Sequence, residues 1–240
     1  KFWSGAWRYD PSRHFLTSFL CSRNLHLDNN ISFYFKVSNE EMKARMWFGW
    51  KELSLKHPGI ADSVLKGNKI LQEIVPLSIA VDNPTVLGEF GMDPTADSNG
   101  MNMRHTQDPV TSYRECFCAI VQETRFTQPW PNISEKTLNA IKNYRPFVIA
   151  SGPGTLKMMK DMGFKTFDKY WPEDYDEVFS NKDRMVKICE TIDYINSYTI
   201  EELKDIYEDM KPILIHNVEN FSNVPGWFDK INQEIMQNSH

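Results

Sequence analysis

Two short stretches constrain the fold of this chain more than anything else in its sequence. Phe117-Cys-Ala-Ile-Val and Phe147-Val-Ile-Ala are apolar at every position. A strand with one wet face alternates apolar and polar residues, whereas a strand apolar throughout is covered on both faces, as in a parallel sheet. Those runs anchor strands over Cys116–Gln122 and Pro146–Ala150. Weaker patterns of the same kind predict strands over Lys1–Trp7, Ile31–Phe35, Leu77–Val81 and Phe164–Phe167.

Helical periodicity fills the intervals. Ser12 is placed to cap a helix running to about Arg23, with Phe15, Phe19 and Leu20 inward. Asn39–Leu53 and Ile60–Ile74 read as helices, as does Glu135–Tyr144 behind a Ser134 cap. Thr155–Met162 is a short helix stopped by Gly163. An all-helical tail follows, over Lys182–Ser197, over Thr199–Met210 with a Thr199/Glu202 capping box, and from Pro212 onward. Strand–helix alternation implies right-handed crossovers. The expected fold is therefore α/β, a doubly wound, mostly parallel six-stranded Rossmann-like sheet over residues 1–180 with a helical tail over 181–240. Asp82–Pro109, rich in Gly, Asp, Asn and Pro, is long for a loop and expected to be functional or mobile.

Composition removes several function classes. The net charge is −5, from 27 basic and 32 acidic residues, so there is no general field to attract nucleic acid. No apolar run of membrane-spanning length exists. The expected location is cytoplasmic, and no signal peptide is evident. Cys21, Cys116, Cys118 and Cys189 lack the spacing of a zinc knuckle and read as buried, reduced thiols. His57, His105 and His216 are scattered. The acidic turn Trp171-Pro-Glu-Asp-Tyr-Asp-Glu reads as a solvated turn rather than a metal site. No metal and no tightly bound cofactor is expected. The opening at Lys1 rather than Met points to a piece missing upstream.

Ligands of open α/β sheets sit outside the carboxyl ends of the strands, where the strand order switches. Residues at those ends are Arg8 to His14, then Glu123 and Thr124, and then Ser151 to Gly154. Ser134-Glu-Lys-Thr opens a helix just downstream, where free backbone N–H groups and the helix dipole suit a diphosphate. Lys136 can neutralise phosphate charge, and Glu135 can accept from ribose hydroxyls. Arg8 and Arg13 can clamp the diphosphate. Thr124 and Thr137 border the same region, and Gly152 and Gly154 would admit a base or sugar close to the backbone. His14 and Glu123 are the candidates for acid–base work. Each has a plainer reading: a helix cap for the Ser134 tetrad, a turn at Gly152-Pro-Gly154, a solvated or packed pair at Arg13-His14. Lys136 stands apart, since a cation in the first turn opposes the dipole and calls for an anion nearby.

The stretch from Ser134-Glu-Lys-Thr through Tyr144-Arg-Pro-Phe-Val-Ile-Ala-Ser-Gly-Pro-Gly to Gly163-Phe-Lys-Thr-Phe resembles a family of glycosyltransferase-like proteins frequent in tailed bacteriophages and other large DNA viruses. It is also similar to the donor-binding half of fucosyltransferase-type GT-B enzymes, with Ile120-Val-Gln-Glu-Thr as the preceding strand and Arg8, Ser12-Arg13-His14 as the opening element. The matched segments run over roughly 1–23 and 113–175. The resemblance implies a nucleotide-sugar donor bound by Glu135 and Lys136 with Arg8 and Arg13 nearby. It implies transfer to an acceptor hydroxyl on a glycan, a protein or modified nucleic acid, in host cytoplasm if the source is viral. It also implies an N-terminal acceptor domain, often carrying the catalytic base, which these residues do not contain. Two other classes stay open: a nucleotide- or glycan-binding module without turnover, and a viral structural or host-interaction protein, possible in an oligomer, using the helical tail.

Overall fold

The computed structural model describes residues 1–6, 10–28, 31–33, 35–46, 49–75, 113 and 116–222. The predicted strand Leu77–Val81, the long segment Asp82–Pro109, Arg8, Tyr9 and His105 lie outside them, as do residues 223–240.

Helix dominates. Among the described residues four strands form a single sheet: β1 (Phe2–Ala6), β2 (Ile31–Phe33), β3 (Cys118–Gln122) and β4 (Phe147–Ala150), in the order β2-β1-β3-β4. All pairings are parallel, with Ser4 opposite Ile31, Phe2 opposite Cys118 and Ile120 opposite Val148. The expectation of a six-stranded Rossmann-like sheet is thereby corrected. Every residue of β3 and β4 is buried. Each Ile or Val there stabilises the fold by about 1.5–3 kcal/mol through burial alone.

Phe164–Phe167 is not a strand, although Phe164 and Phe167 are buried. Its backbone donors find partners other than a strand. Phe164 N–H bonds Met159 O at 3.0 Å, Lys165 N–H bonds Asn217 Oδ1 at 2.8 Å, and Phe167 N–H bonds Glu173 Oε1 at 2.7 Å. Asn217 also donates to Lys165 O at 2.8 Å, so one side-chain amide does what a neighbouring strand would do.

The helices are α1 (Pro11–Ser22), α2 (Asn39–Arg45), α3 (Trp50–Lys56), α4 (Pro58–Ile74), α5 (Glu135–Lys142), α6 (Thr155–Asp161), α7 (Asn181–Ser197) and α8 (Ile200–Ser222). Asp10 caps α1, accepting from Ser12 N and Arg13 N, so the cap lies two residues before the expected Ser12. A carboxylate two residues earlier competes better for the same orphan donors. The predicted helix Asn39–Leu53 is two helices, broken before Gly49, whose φ is 78°. The last helix does not restart at Pro212 but runs through it.

Two helical groups cover the sheet. α1 packs on α4 and α7, and α5 packs on α8. Residues of α7 and α8 belong to the same core as the strands, including Ile188, Ile192, Leu203 and Met210. Arg23 ties α1 to α7 through two bonds to Asp193 of 2.8 and 2.7 Å, and to α4 through Ser63. No helix among the described residues is long and apolar enough to cross a membrane.

Candidate functional site at the carboxyl edge of the sheet

The chain leaves β1 toward β2 on one side and β3 toward β4 on the other. The carboxyl ends of β1 and β3 are therefore where the strand order switches, the place where such sheets leave a crevice. Residues from three segments meet there.

Glu123 directly follows β3 and is 1% exposed. Its carboxylate accepts from Ser134 N at 2.9 Å, Ser134 Oγ at 2.5 Å and Thr137 Oγ1 at 2.8 Å. Three donors on a buried carboxylate fix the start of α5 to the end of β3. Glu123 is thus a positioning residue and not the free base expected of it. Ser134 caps α5 through a 3.3 Å bond from Lys136 N. The anion that Lys136 calls for is Glu135: Nζ lies 2.5 Å from Oε1 and 3.3 Å from Ser134 Oγ. Burial alone would raise the Glu135 carboxyl, but the hydrogen bond and charge of Lys136 bring it below its ordinary range.

Arg13 is buried rather than poised over a phosphate. Its Nη2 donates to Gln122 O at 3.1 Å and to Thr124 Oγ1 at 3.0 Å, binding α1 to the end of β3. The two glycines are also occupied. A Cβ on Gly152 would lie 1.9 Å from Trp130 O, so the space at Gly152 belongs to the 129–132 loop and not to a ligand. Gly154, with φ of 76°, donates its N–H to Asp176 O at 2.7 Å. The Asp176 carboxylate then takes Leu156 N at 2.8 Å and Lys157 N at 2.9 Å, filling the start of α6. The acidic turn read as solvated thus supplies a helix cap.

His14 is fully buried between α1 and α4, which removes it as an acid–base candidate for a substrate. Its Nε2 is 2.6 Å from Asn68 Oδ1. Asn68 spends its amide nitrogen on Val37 O and Asn39 Oδ1, so the His14 Nε2 carries the proton and donates. Burial lowers its pKa from the ordinary 6.5, partly offset by the Asn68 bond and reinforced by the charge of Arg45. A histidine with a depressed folded-state pKa contributes stability that is complete above the unfolded value and lost as pH falls through the folded one. Unfolding free energy should therefore fall between about pH 7 and pH 5, and His14→Gln should flatten that slope. Urea titrations at both pH values check this; equal slopes would remove His14 as the cause.

Sequence reasoning missed Arg184. It is 1% exposed, and its guanidinium donates to Phe126 O at 2.6 Å, Val178 O at 2.7 Å and Ser151 O at 3.0 Å while lying 4.5 Å from the centre of the Phe126 ring. It holds the loops after β3 and β4 together. A signal was present, since Arg184 shares a helix face with Ile188 and Ile195.

No family model, no curated protein and no solved structure matches this chain.

Proposed function

We propose that this chain forms the donor-binding part of a glycosyltransferase and takes a nucleotide-sugar at the carboxyl ends of β1 and β3. One observation carries this reading. An unbroken series of contacts runs from Arg13 through Thr124 and Glu123 to Ser134 and Lys136, and so places the start of α5 beside the switch in strand order. The buried members of that series are scaffold. Glu135 and Lys136 are the members left for a ligand.

The Glu135–Lys136 pair suits that role energetically. It lies at the surface, Glu135 being the more exposed partner. Pairs of this kind contribute only about 0–1 kcal/mol, so a ligand that engages both partners loses little by separating them. In this reading Glu135 turns to the ribose hydroxyls and Lys136 to the diphosphate. Lys136 then stabilises the charge that develops as the diphosphate departs.

The test is a thermal-shift panel of UDP-, GDP-, ADP-, CMP- and dTDP-sugars on wild type and Lys136→Ala. A ligand at a hundred times its Kd adds about 2.7 kcal/mol of stability. Stabilisation by one donor, lost in the variant, is the expected result. A folded protein that no donor stabilises would remove the reading.

A further inference from the structure

A concavity opens beside the loop 129–132. It is a cleft of about 920 Å³, at the upper end of the roughly 300–1,000 Å³ usual for small-molecule sites. Part of the lining is apolar: Pro129, Pro131, Pro153, Leu156 and Met158 with Phe179. Phe179 is 77% exposed, and Trp130, between two of those prolines, is 50% exposed.

The rest of the lining is polar, and its charges are largely matched. Asp161 pairs with Lys157 at 2.6 Å, Asp168 with Lys160 at 2.8 Å, and Asp174 with Lys187. Asp176 is spent on the start of α6. Carboxylates already matched by lysines make a poor trap for a cation. Among the described residues, no His, Cys, Asp and Glu converge closely enough to hold a metal ion. What this polar lining offers is an alternation of hydrogen-bond acceptors and donors. Glu173 also lines the cleft, its side chain 6% exposed. Its Oε1 takes Phe167 N–H, the Thr166 hydroxyl donates to the carboxylate, and Oε2 faces Lys160 Nζ at 3.7 Å.

We propose that this cleft is a carbohydrate subsite, holding a pyranose with its C–H face on Phe179 and the prolines and its hydroxyls on the Asp/Lys lining and Glu173. A pyranose has one apolar face and hydroxyls that each donate and accept, which is the pairing this cleft presents. As the acceptor's place, the assignment rests on the donor reading above; as a sugar site, it stands without it.

The experiment is saturation-transfer NMR on the full chain with methyl pyranosides of gluco, galacto, manno and N-acetylglucosaminyl configuration. Phe179→Ser and Glu177→Gln are the variants, both at exposed positions of the cleft lining, where folding is not at stake. Saturation of the ring protons of at least one sugar is expected, weakened about tenfold in Phe179→Ser, as removal of an aromatic platform implies. No saturation from any of the sugars overturns the subsite, as does saturation unchanged in both variants. The nucleotide thermal shift, measured on the same variants, keeps the two readings apart. Sugar binding without a donor shift retains the cleft and removes the transferase, and a donor shift without sugar binding does the reverse.

Discussion

Replacing Arg184 by Met should lower the unfolding free energy by roughly 3–5 kcal/mol, because several buried acceptors lose their charged donor together. The methionine keeps the apolar stem and its packing on Phe126 but supplies no donor. Ser151 O, Val178 O and Phe126 O would then lie buried without the guanidinium that now serves them. Each such acceptor costs about 1–3 kcal/mol if no water reaches it. Desolvation already pulls the Arg184 pKa down to about 10, so the group stays charged across the physiological range. Arg184→Lys should recover only part of the loss, because one ammonium cannot reach carbonyls on three separate loops. Urea denaturation measures this, with melting expected about 10 °C lower. A loss below about 1 kcal/mol would put Arg184→Met among ordinary surface changes and sink the claim that it holds the edge together.

The second large effect is at Gly67, in the crossing of α4 over α1. A Cβ there would meet Ser18 O at 1.7 Å, Ser18 C at 2.6 Å and Ser22 N at 2.9 Å. All are backbone atoms, so no side chain can swing aside and the helices must separate. Two effects oppose each other in Gly67→Ala. Helix propensity favours alanine by about 1 kcal/mol. Overpacking against rigid backbone costs typically 1–3 kcal/mol and more where nothing can give. The clash wins, and a net loss of about 2 kcal/mol or more is expected. Gly59, in the same helix, is the control: nothing lies within 4 Å of its Cβ position, so Gly59→Ala should stabilise by a few tenths to about 1 kcal/mol. If both variants shift stability the same way, the close approach of α1 and α4 is not as described.

The parts of the fold that could be read from residues alone were those where one physical cause dominates. β3 and β4 are apolar at nearly every position because both their faces are covered, and no helix of ordinary amphipathicity has that pattern. Ser134 could be read as a cap because its side chain acts on a neighbour two residues away. Phe164–Phe167 misled because periodicity registers burial and not the source of backbone partners, and those partners came from Asn217 and Glu173. In the candidate site, sequence did not reveal which way the side chains turn. Arg13 and His14 look like surface groups in sequence, but Gln122, Thr124 and Asn68 give them buried partners far along the chain. Gly67, Gly152 and Arg184 act through atoms of distant segments, which no local pattern records.

One detail at the free side of β4 bears on how separate molecules behave toward each other. The outward N–H of Ile149 is taken by the hydroxyl of Tyr175 at 3.4 Å, from the short 3-10 turn Asp174–Glu177 laid along that strand. A bare edge strand is a template on which another chain can add a strand of its own. Here the template is blunted by one phenol, which satisfies the donor but offers nothing to extend. Among the described residues, a strand added at β4 would first have to displace the Tyr175 hydroxyl from Ile149.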